Sequence, residues 1–175
     1  MDASELRAVQ SPLKRRYRED PAAAVTPVRA HADFSDGGIT ATVTGWAGPV
    51  RAGLHPATGG DGSDACSGDL LLEAVLACAG VTLRSVATAL GVEVRRAELD
   101  AIASFDARGT LGVSRGTPVG ISGLVVTARL DTDADDAVLA TLGELTERYC
   151  VVGQSLAETP RIVVTRARRG QHGHV

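Results

Sequence analysis

The sequence predicts an α+β fold, because segments typical of strands and segments typical of helices are grouped along the chain. Apolar and polar residues alternate after Val25, which is the pattern of half-buried strands. An almost continuously apolar run occupies residues 70–83, and apolar residues recur at helical spacing within 133–149. Grouped elements of both kinds are characteristic of α+β domains.

Size and composition limit the classes of protein to which the chain can belong. Its 175 residues are 44% apolar, enough for one sizeable core, so one domain is expected. The formal net charge of −3 creates no field that would attract nucleic acid or an anionic membrane. Aromatic residues make up only 3%, too few for a base-stacking surface. We therefore expect no nucleic-acid partner and no membrane partner.

The first predicted element is an amphipathic helix over residues 4–19. Its apolar positions follow a spacing of three and four residues: Leu6, Val9, Leu13 and Tyr17. Its basic residues fall largely elsewhere around the helix: Lys14, Arg15, Arg16 and Arg18. They are interpreted as a solvated helix face, with an interaction patch as the alternative. Residues 1–24 are expected to form an arm that packs on the body or on a partner subunit.

Compartment and redox state follow from the first residues and from the cysteines. Residues 1–6 lack the basic and apolar regions of a secretory signal, so a cytoplasmic location is expected. The apolar run at 70–83 is shorter than the roughly twenty residues of a membrane span, which favours a buried helix. Three cysteines in the cytoplasm would normally be reduced, so any disulfide between two of them should be transient.

The first half of the body is predicted to be strand-rich up to a loop. Strands are expected near 26–34 and 39–46, joined as a hairpin by a turn at 35–38. Residues 56–68 are small, polar and glycine-rich, and therefore predict a loop. The glycines of this loop do not match a phosphate-binding motif, which argues against a nucleotide site.

A long helix is predicted next, over residues 69–90. Asp69, or Ser67 just before it, can cap this helix by accepting its free N–H groups. Gly91 supplies the stop at the other end. Because the helix is apolar on nearly all sides at first, it should be buried on most sides.

The second half is predicted to contain three strands and one helix. The helix should cover 133–149, with an inner face made of Val138, Leu139, Leu142 and Leu145. The strands should cover 92–106, 121–131 and 161–168, with a polar, glycine-rich connection at 107–120. Residues 25–168 would then form the domain, followed by a disordered tail at 169–175.

Two cysteine motifs resemble those of a known family. The run from Ser67 to Arg84, SGDLLLEAVLACAGVTLR, resembles the cysteine helix of the OsmC/Ohr family. The run from Glu147 to Leu156, ERYCVVGQSL, is similar to its second cysteine motif. Pro118-Val119-Gly120 before a strand is similar to the approach to the later sheet, and the first helix resembles that of one OsmC-like branch. The resemblance covers residues 25–168.

The resemblance implies a fold, an assembly and an activity. The fold would be OsmC-like, with antiparallel sheets packed around a long central helix that bears a cysteine. The assembly would be an intertwined homodimer with two active sites at its interface. The activity would be that of a thiol-dependent peroxidase that reduces organic hydroperoxides, with Cys78 as the peroxidatic and Cys150 as the resolving thiol. An external dithiol would reduce the disulfide, and no cofactor or metal is needed.

The chemistry of a thiol peroxidase requires these residue types independently of the family. A peroxidatic cysteine must be a thiolate to attack the O–O bond, and a second thiol must condense with the sulfenic acid before irreversible oxidation. An organic hydroperoxide also needs an apolar wall beside the sulfur, which a helix rich in Leu, Val and Ala provides. A cation is expected near Cys78 as well, because burial alone raises a thiol pKa.

The groups that would activate Cys78 depart from the family pattern. The family places a glutamate ten residues before the first cysteine, where this chain has Gly68. Asp69 is the candidate acid, although a helix cap is the simpler interpretation. The arginine of the family comes from the first strands, where this chain offers Arg51, which we favour, and Arg29. A solvated strand arginine is the alternative for each.

Two alternatives to this hypothesis stay open, and the role of Cys66 is open as well. Cysteines in apolar helices are commonly packing residues, so Cys78 and Cys150 could be core residues only. The chain could instead be a non-catalytic OsmC-like dimer, with the thiols retained, that binds a hydrophobic small molecule or senses oxidants. Cys66 matches no family position and is either an accessory thiol or an incidental loop cysteine. His55 and Cys66 lack the paired spacing of zinc sites, so no metal site is predicted.

Overall fold

The first helix, α1, covers Ala3–Glu19, which confirms the predicted arm helix. In this computed structural model, which describes residues 1–33, 38–46 and 48–167, α1 begins with a capping box. The Asp2 carboxylate accepts hydrogen bonds from the N–H groups of Ser4 and Glu5 at 2.7 and 2.9 Å. The Glu5 side chain accepts the Asp2 N–H at 2.8 Å in return. This reciprocal pairing satisfies free N–H groups of the first turn and fixes the start of the helix.

A four-stranded sheet follows, with strand order β1-β2-β3-β4. Its strands are β1 (His31–Asp33), β2 (Thr40–Gly45), β3 (Gly48–Gly53) and β4 (Ala65–Cys66). The pairings β1/β2 and β2/β3 are antiparallel, and β3/β4 is parallel. The prediction for 39–46 is confirmed, and the predicted turn at 35–38 falls mostly outside the described residues.

The predictions for this first sheet differ from the structure in three places. Residues 26–30 were expected in a strand but have no regular structure, and Pro27 lacks the N–H that a strand ladder needs. Strand β3 was not predicted at all, because two glycines and Pro49 within six residues hide its alternation. The loop expected at 56–68 contains a 3₁₀ turn at Pro56–Thr58 and the two residues of β4.

The long helix α2 (Ser67–Leu90) and a three-stranded sheet form the centre of the fold. The strands are β5 (Arg96–Ser104), β6 (Ser122–Asp131) and β7 (Arg161–Arg166), in the order β5-β6-β7. The three predicted strands are confirmed, with shorter ends. β5/β6 is antiparallel, but β6/β7 is parallel because a helical crossover returns the chain in the same direction. Each sheet therefore has one parallel pairing where antiparallel sheets were expected.

Three further helices complete the described chain. They are α3 (Ala107–Thr110), α4 (Asp136–Tyr149) and α5 (Val151–Gln154). The helix predicted at 133–149 is confirmed as α4, which begins after the cap Asp135, whose carboxylate accepts the Val138 N–H at 2.8 Å. The short helices α3 and α5 were not predicted, because four residues show no period. The predicted tail at 169–175 lies outside the described residues.

The core lies between α2, the second sheet and α4. The inner face of α2 buries Val75, Ala79, Leu83 and Ala87. Opposite them lie buried residues of β6 and α4: Leu124, Val126, Ala128, Leu130, Leu139 and Leu142. The apolar run at 70–83 is too short to span a membrane, but the whole of α2 is long and apolar enough by length and composition. The core helices of globular proteins often meet the same criterion. The contacts of α2 with β5, α4 and α5 identify it as the core helix of this fold.

Candidate active site

Cys150 lies at the break between two helices, and its main chain forms hydrogen bonds with both of them. It ends α4, where its N–H donates to the Thr146 carbonyl at 2.9 Å, and it begins α5, where its carbonyl accepts the Gln154 N–H at 2.9 Å. The Gln154 side chain also donates to the Glu147 carbonyl at 2.9 Å. The backbone of Cys150 is therefore fixed by hydrogen bonds from both helices.

The Cys150 side chain is packed into the core. Only 1% of its surface is exposed, and its Sγ accepts the Gly153 N–H at 3.4 Å. Gly153 is itself buried, and a Cβ added there would lie 3.3 Å from Cys150 Sγ and 3.4 Å from Pro160 Cδ. The sulfur therefore packs directly against Gly153, where a larger side chain would crowd it.

Cys78 lies on α2 beside Cys150 and the first residues of α5. It packs against the apolar cluster that contains Cys150, Val152 and Leu156. Burial raises the pKa of the Cys78 thiol. Hydrogen bonds to its sulfur outweigh burial and lower the pKa overall. The larger contributions come from the Val152 N–H and the Cys150 thiol, and the smaller ones from Thr82 and Val151. All of these groups stabilise the thiolate.

The neighbouring thiol of Cys150 shifts in the opposite direction. Burial raises the pKa of Cys150, the nearby Cys78 raises it further, and the Gly153 N–H opposes this only in part. Of the two thiols, Cys78 is therefore the more acidic and loses its proton first. Two adjacent thiols of this kind, both free in the structure, can exchange a proton and can form a disulfide.

Asp69 lies in the first turn of α2 and does not cap the helix. The cap is Cys66, and neither Asp69 nor Ser67 bonds the first N–H groups among the described residues, so the predicted cap is wrong. The helix begins two residues before the prediction, which places Asp69 inside it. Asp69 precedes Cys78 by nine residues, roughly 13.5 Å along the helix axis at 1.5 Å per residue. It is exposed and does not share the immediate surroundings of Cys78.

The two candidate arginines lie in the first part of the chain. Arg51 is on β3, where its Nε donates to Asp64 Oδ1 at 2.5 Å, and Arg29 lies in the exposed segment before β1. Neither is among the groups of the described chain that set the Cys78 pKa. Hydrogen-bond donors of α2 and α5, rather than the expected cation, lower that pKa.

Sequence reasoning missed the donors around Cys78. The sequence could have indicated Thr82, because it follows Cys78 by four residues and therefore lies on the same face of α2. The sequence gives no such indication of the Val151 and Val152 N–H groups, since any residue has a backbone N–H. Only the position of α5 against α2 brings them to the sulfur.

A separate cavity of about 290 Å³ opens near the start of α2. Its apolar wall includes Leu72, Phe105 and Ile121, and its polar groups include His55 and Cys66. His55 packs edge-on against Phe105, with the ring centres 5.3 Å apart. Within the described chain, no group of three or more His, Cys, Asp or Glu residues is arranged to hold a metal.

The family of OsmC-like proteins matches this chain over residues 60–165. This segment is more than half of the sequence and includes both Cys78 and Cys150. The chain belongs to the OsmC-like protein family. Among the curated proteins compared with it, none matches.

Solved structures show the same OsmC-like fold at low sequence identity. An organic hydroperoxide resistance protein from Elizabethkingia anophelis is 14% identical, with a TM-score of 0.65, over 82% of this chain and 99% of its own. OhrB of Bacillus subtilis, also an organic hydroperoxide resistance protein, is 16% identical, with a TM-score of 0.58, over 82% of this chain and 100% of its own. An OsmC-like protein of unknown function from Vibrio cholerae is 10% identical, with a TM-score of 0.65, over 82% of this chain and 100% of its own. The two sheets and five helices of the described residues therefore form an OsmC-like α+β fold.

Proposed function

We propose that this protein is a thiol-dependent peroxidase that reduces organic hydroperoxides. The observation that carries the proposal is the adjacent thiol pair, in which the pKa of Cys78 is lowered and that of Cys150 is raised. A stabilised thiolate beside a protonated thiol suits a peroxidatic and a resolving cysteine. Membership of the OsmC-like family, and structural similarity to proteins described as conferring organic hydroperoxide resistance, support the same activity.

The proposed reaction has three steps. The Cys78 thiolate attacks the outer oxygen of the hydroperoxide, so an S–O bond forms, the O–O bond breaks and the alcohol leaves after taking up a proton. The Cys150 thiol, after losing its proton, attacks the sulfur of the Cys78 sulfenic acid, and hydroxide leaves as water while the disulfide forms. An external dithiol then supplies two electrons and two protons and restores both thiols by exchange. No dissociable cofactor takes part.

The substrate class follows from the apolar surroundings of the sulfur. Cys78 packs against an apolar core cluster to which Val152 and Leu156 also belong. This wall favours an alkyl or aryl hydroperoxide over hydrogen peroxide, which gains nothing from apolar contact.

We further propose that a second copy of the chain completes the protein as a homodimer. Only 22% of the most apolar stretch of α2 is buried within one chain, and Val81 on its outer face is 73% exposed. Such a face normally marks an interface. Arg51, Arg29 and Asp69 are then candidates to act on the Cys78 of the other subunit, and the arm at 1–24 is a candidate to pack on it. We assign the dimer to the cytoplasm, where dithiol reductants are available.

Intact mass after one turnover tests the peroxidase proposal. The reduced protein, treated with about one equivalent of cumene hydroperoxide, should promptly lose about 2 Da as the disulfide forms. Cys78→Ser should show no change. Cys150→Ser should gain about 16 Da as the sulfenic acid, which dimedone would trap. An unchanged mass of the folded, reduced wild-type protein would contradict the proposal.

Repeated turnover distinguishes the enzyme from a non-catalytic dimer that binds a hydrophobic molecule or senses oxidants. The cavity near His55 and Phe105 is the feature that favours a binding protein. With excess dithiothreitol, the enzyme should consume many equivalents of cumene hydroperoxide per subunit. Consumption that stops at about one equivalent per subunit, with a disulfide that dithiothreitol does not reduce, would instead support an oxidant sensor.

A further inference from the structure

Two residues define the space beside Cys150 Sγ: Gly153, which touches the sulfur, and Pro160, which lies across that space from it. Since the Cys150 backbone is held by α4 and α5, only the side-chain torsion is left to place the sulfur. Gly153 donates its N–H to Sγ at 3.4 Å and leaves open the space that a Cβ would fill. Pro160 closes that space from the other side and is fully buried.

We propose that Gly153 is a positioning residue for the resolving step, which with Pro160 directs Cys150 Sγ towards Cys78. The proposal rests on the disulfide mechanism above and adds to it the residue that places the resolving thiol. Gly153 does not touch the substrate or Cys78 in this role. It acts through the sulfur of Cys150 alone.

The packing around Gly153 explains why the sulfur would move if a side chain were added. A Cβ at position 153 would lie 3.3 Å from Sγ, which is tighter than an ordinary contact. It would already be in ordinary contact with Pro160 Cδ and Cγ, at 3.4 and 3.5 Å, so it could not move away from the sulfur without crowding the proline ring. Pro160 is a rigid ring in front of β7, and the Ile162 N–H of β7 donates to the Glu147 carboxylate at 3.3 Å. Protein interiors are close-packed and have little free volume to absorb a methyl group. The Cys150 side chain is the part most able to rotate.

Displacement of Sγ should affect the second chemical step more than the first. In the first step the Cys78 thiolate attacks the hydroperoxide, and Cys150 forms no bond. In the second step the Cys150 sulfur must approach the Cys78 sulfur opposite the departing hydroxide, and disulfides tolerate only a narrow geometry. A misplacement of a few tenths of an ångström should slow this step by about tenfold, since about 1 Å can cost a hundredfold.

The test separates the two steps by rapid quench and mass spectrometry with cumene hydroperoxide. Dimedone-reactive sulfenic acid reports the attack by Cys78, and the loss of about 2 Da reports the disulfide. Four proteins are compared with the wild type: Gly153→Ala, Pro160→Ala, the double variant, and Gly116→Ala as the matched control. An added Cβ at Gly116 meets nothing within 4 Å.

The expected pattern is specific to positioning. Gly153→Ala should form the sulfenic acid within about threefold of the wild-type rate but form the disulfide about tenfold more slowly. The double variant should regain most of the disulfide rate, because the methyl group added at position 153 then fills the space that the proline ring vacated. Pro160→Ala alone should slow the disulfide step, because the space beside Gly153 is then no longer closed and the sulfur is less closely confined. Gly116→Ala should match the wild type in both steps.

Two results would overturn the inference. The first is that Gly153→Ala forms the disulfide as fast as the wild type. If Gly153→Ala does not fold, the same result in Pro160→Ala would overturn the inference. The other is a double variant that stays as slow as Gly153→Ala, because crowding would then not be the cause. A wild-type protein that never forms the disulfide refutes the proposed function itself, and is recognised in the same experiment before any variant is compared.

Discussion

At the scale of single residues, the chemistry of the candidate site depends on where hydrogen-bond donors point. Cys78 and Cys150 are the same side chain in the same region, yet their pKa values shift in opposite directions. Burial raises both values. The difference is that donors surround Cys78, whereas the Gly153 N–H is the main donor to Cys150.

The pH dependence of Cys78 alkylation should report the donor from Thr82. The thiolate is the reactive form, so the rate with iodoacetamide rises with pH and reaches half its maximum at the pKa. For the wild type this midpoint should lie below that of an ordinary cysteine thiol, because hydrogen-bond donors lower the pKa of Cys78. Thr82→Val removes a donor to the thiolate and should move the midpoint to higher pH, measured by peptide mass spectrometry.

Thr82→Ser is the matched control for this measurement, because it keeps the hydroxyl. Its midpoint should stay close to that of the wild type. If Thr82→Val and Thr82→Ser shifted the midpoint equally, the side-chain volume and not the hydroxyl would be responsible.

At the scale of elements, the site depends on the break between α4 and α5. Cys150 ends the first helix and begins the second, and this change of direction turns the N–H groups of α5 towards α2. The break is supported by α4, whose inner face is buried against α2 and β7. Packing of α4 is therefore a requirement for the site as well as for stability.

Leu142→Ala should strongly destabilise the protein through this packing. Leu142 is 0% exposed in the core between α2, β6 and α4. Its truncation should lower the free energy of unfolding by about 2–5 kcal/mol, from lost apolar burial and a residual cavity. Urea unfolding at a single protein concentration measures the change.

Glu144→Ala is the control on the exposed face of the same helix. Its effect should lie within about 0.5 kcal/mol of the wild type, since it removes no buried contact. Equal losses in both variants would mean that helix propensity, and not the core contact of Leu142, determines the stability of α4.

At the scale of the whole molecule, one chain does not bury its own central helix. The outer side of α2 carries exposed apolar positions, and Ile102 on β5 is 74% exposed as well. The first sheet meets the rest of the described chain mainly through β4. These features support the proposed homodimer, in which a second copy would complete the core.

Val81→Glu should therefore convert a dimer into monomers. A carboxylate placed in an apolar interface would be desolvated without a partner, which is costly. Light scattering should give twice the chain mass for the wild type and a lower mass for the variant. Val113→Glu is the control, because Val113 is 72% exposed, nearly the same as Val81, but lies in the connection after α3.

A wild-type protein that is monomeric at micromolar concentration would contradict the dimer. A dimer that survives Val81→Glu unchanged would place the interface elsewhere on the molecule.

Local patterns in the sequence were enough to establish the periodic elements and the residue types that carry the chemistry. Helix α2, strand β6 and helix α4 were predictable, because their apolar positions repeat at 3.6 or 2 residues over ten or more positions. The two cysteine motifs also identified the pair Cys78 and Cys150 and the family. Each of these features lies within a short stretch of chain, so it can be recognised before the chain is folded.

The surroundings of the Cys78 sulfur, in contrast, depend on tertiary packing. The strand β3, the short helix α5 and the Cys66 cap of α2 have too few residues, or too many glycines and prolines, to show a pattern. Backbone N–H groups from α5 and the fit of Gly153 against Cys150 and Pro160 arise only when distant segments pack together. The sequence placed two thiols in one fold, and packing shifted their pKa values in opposite directions, because burial and donor direction differ between the two sulfurs.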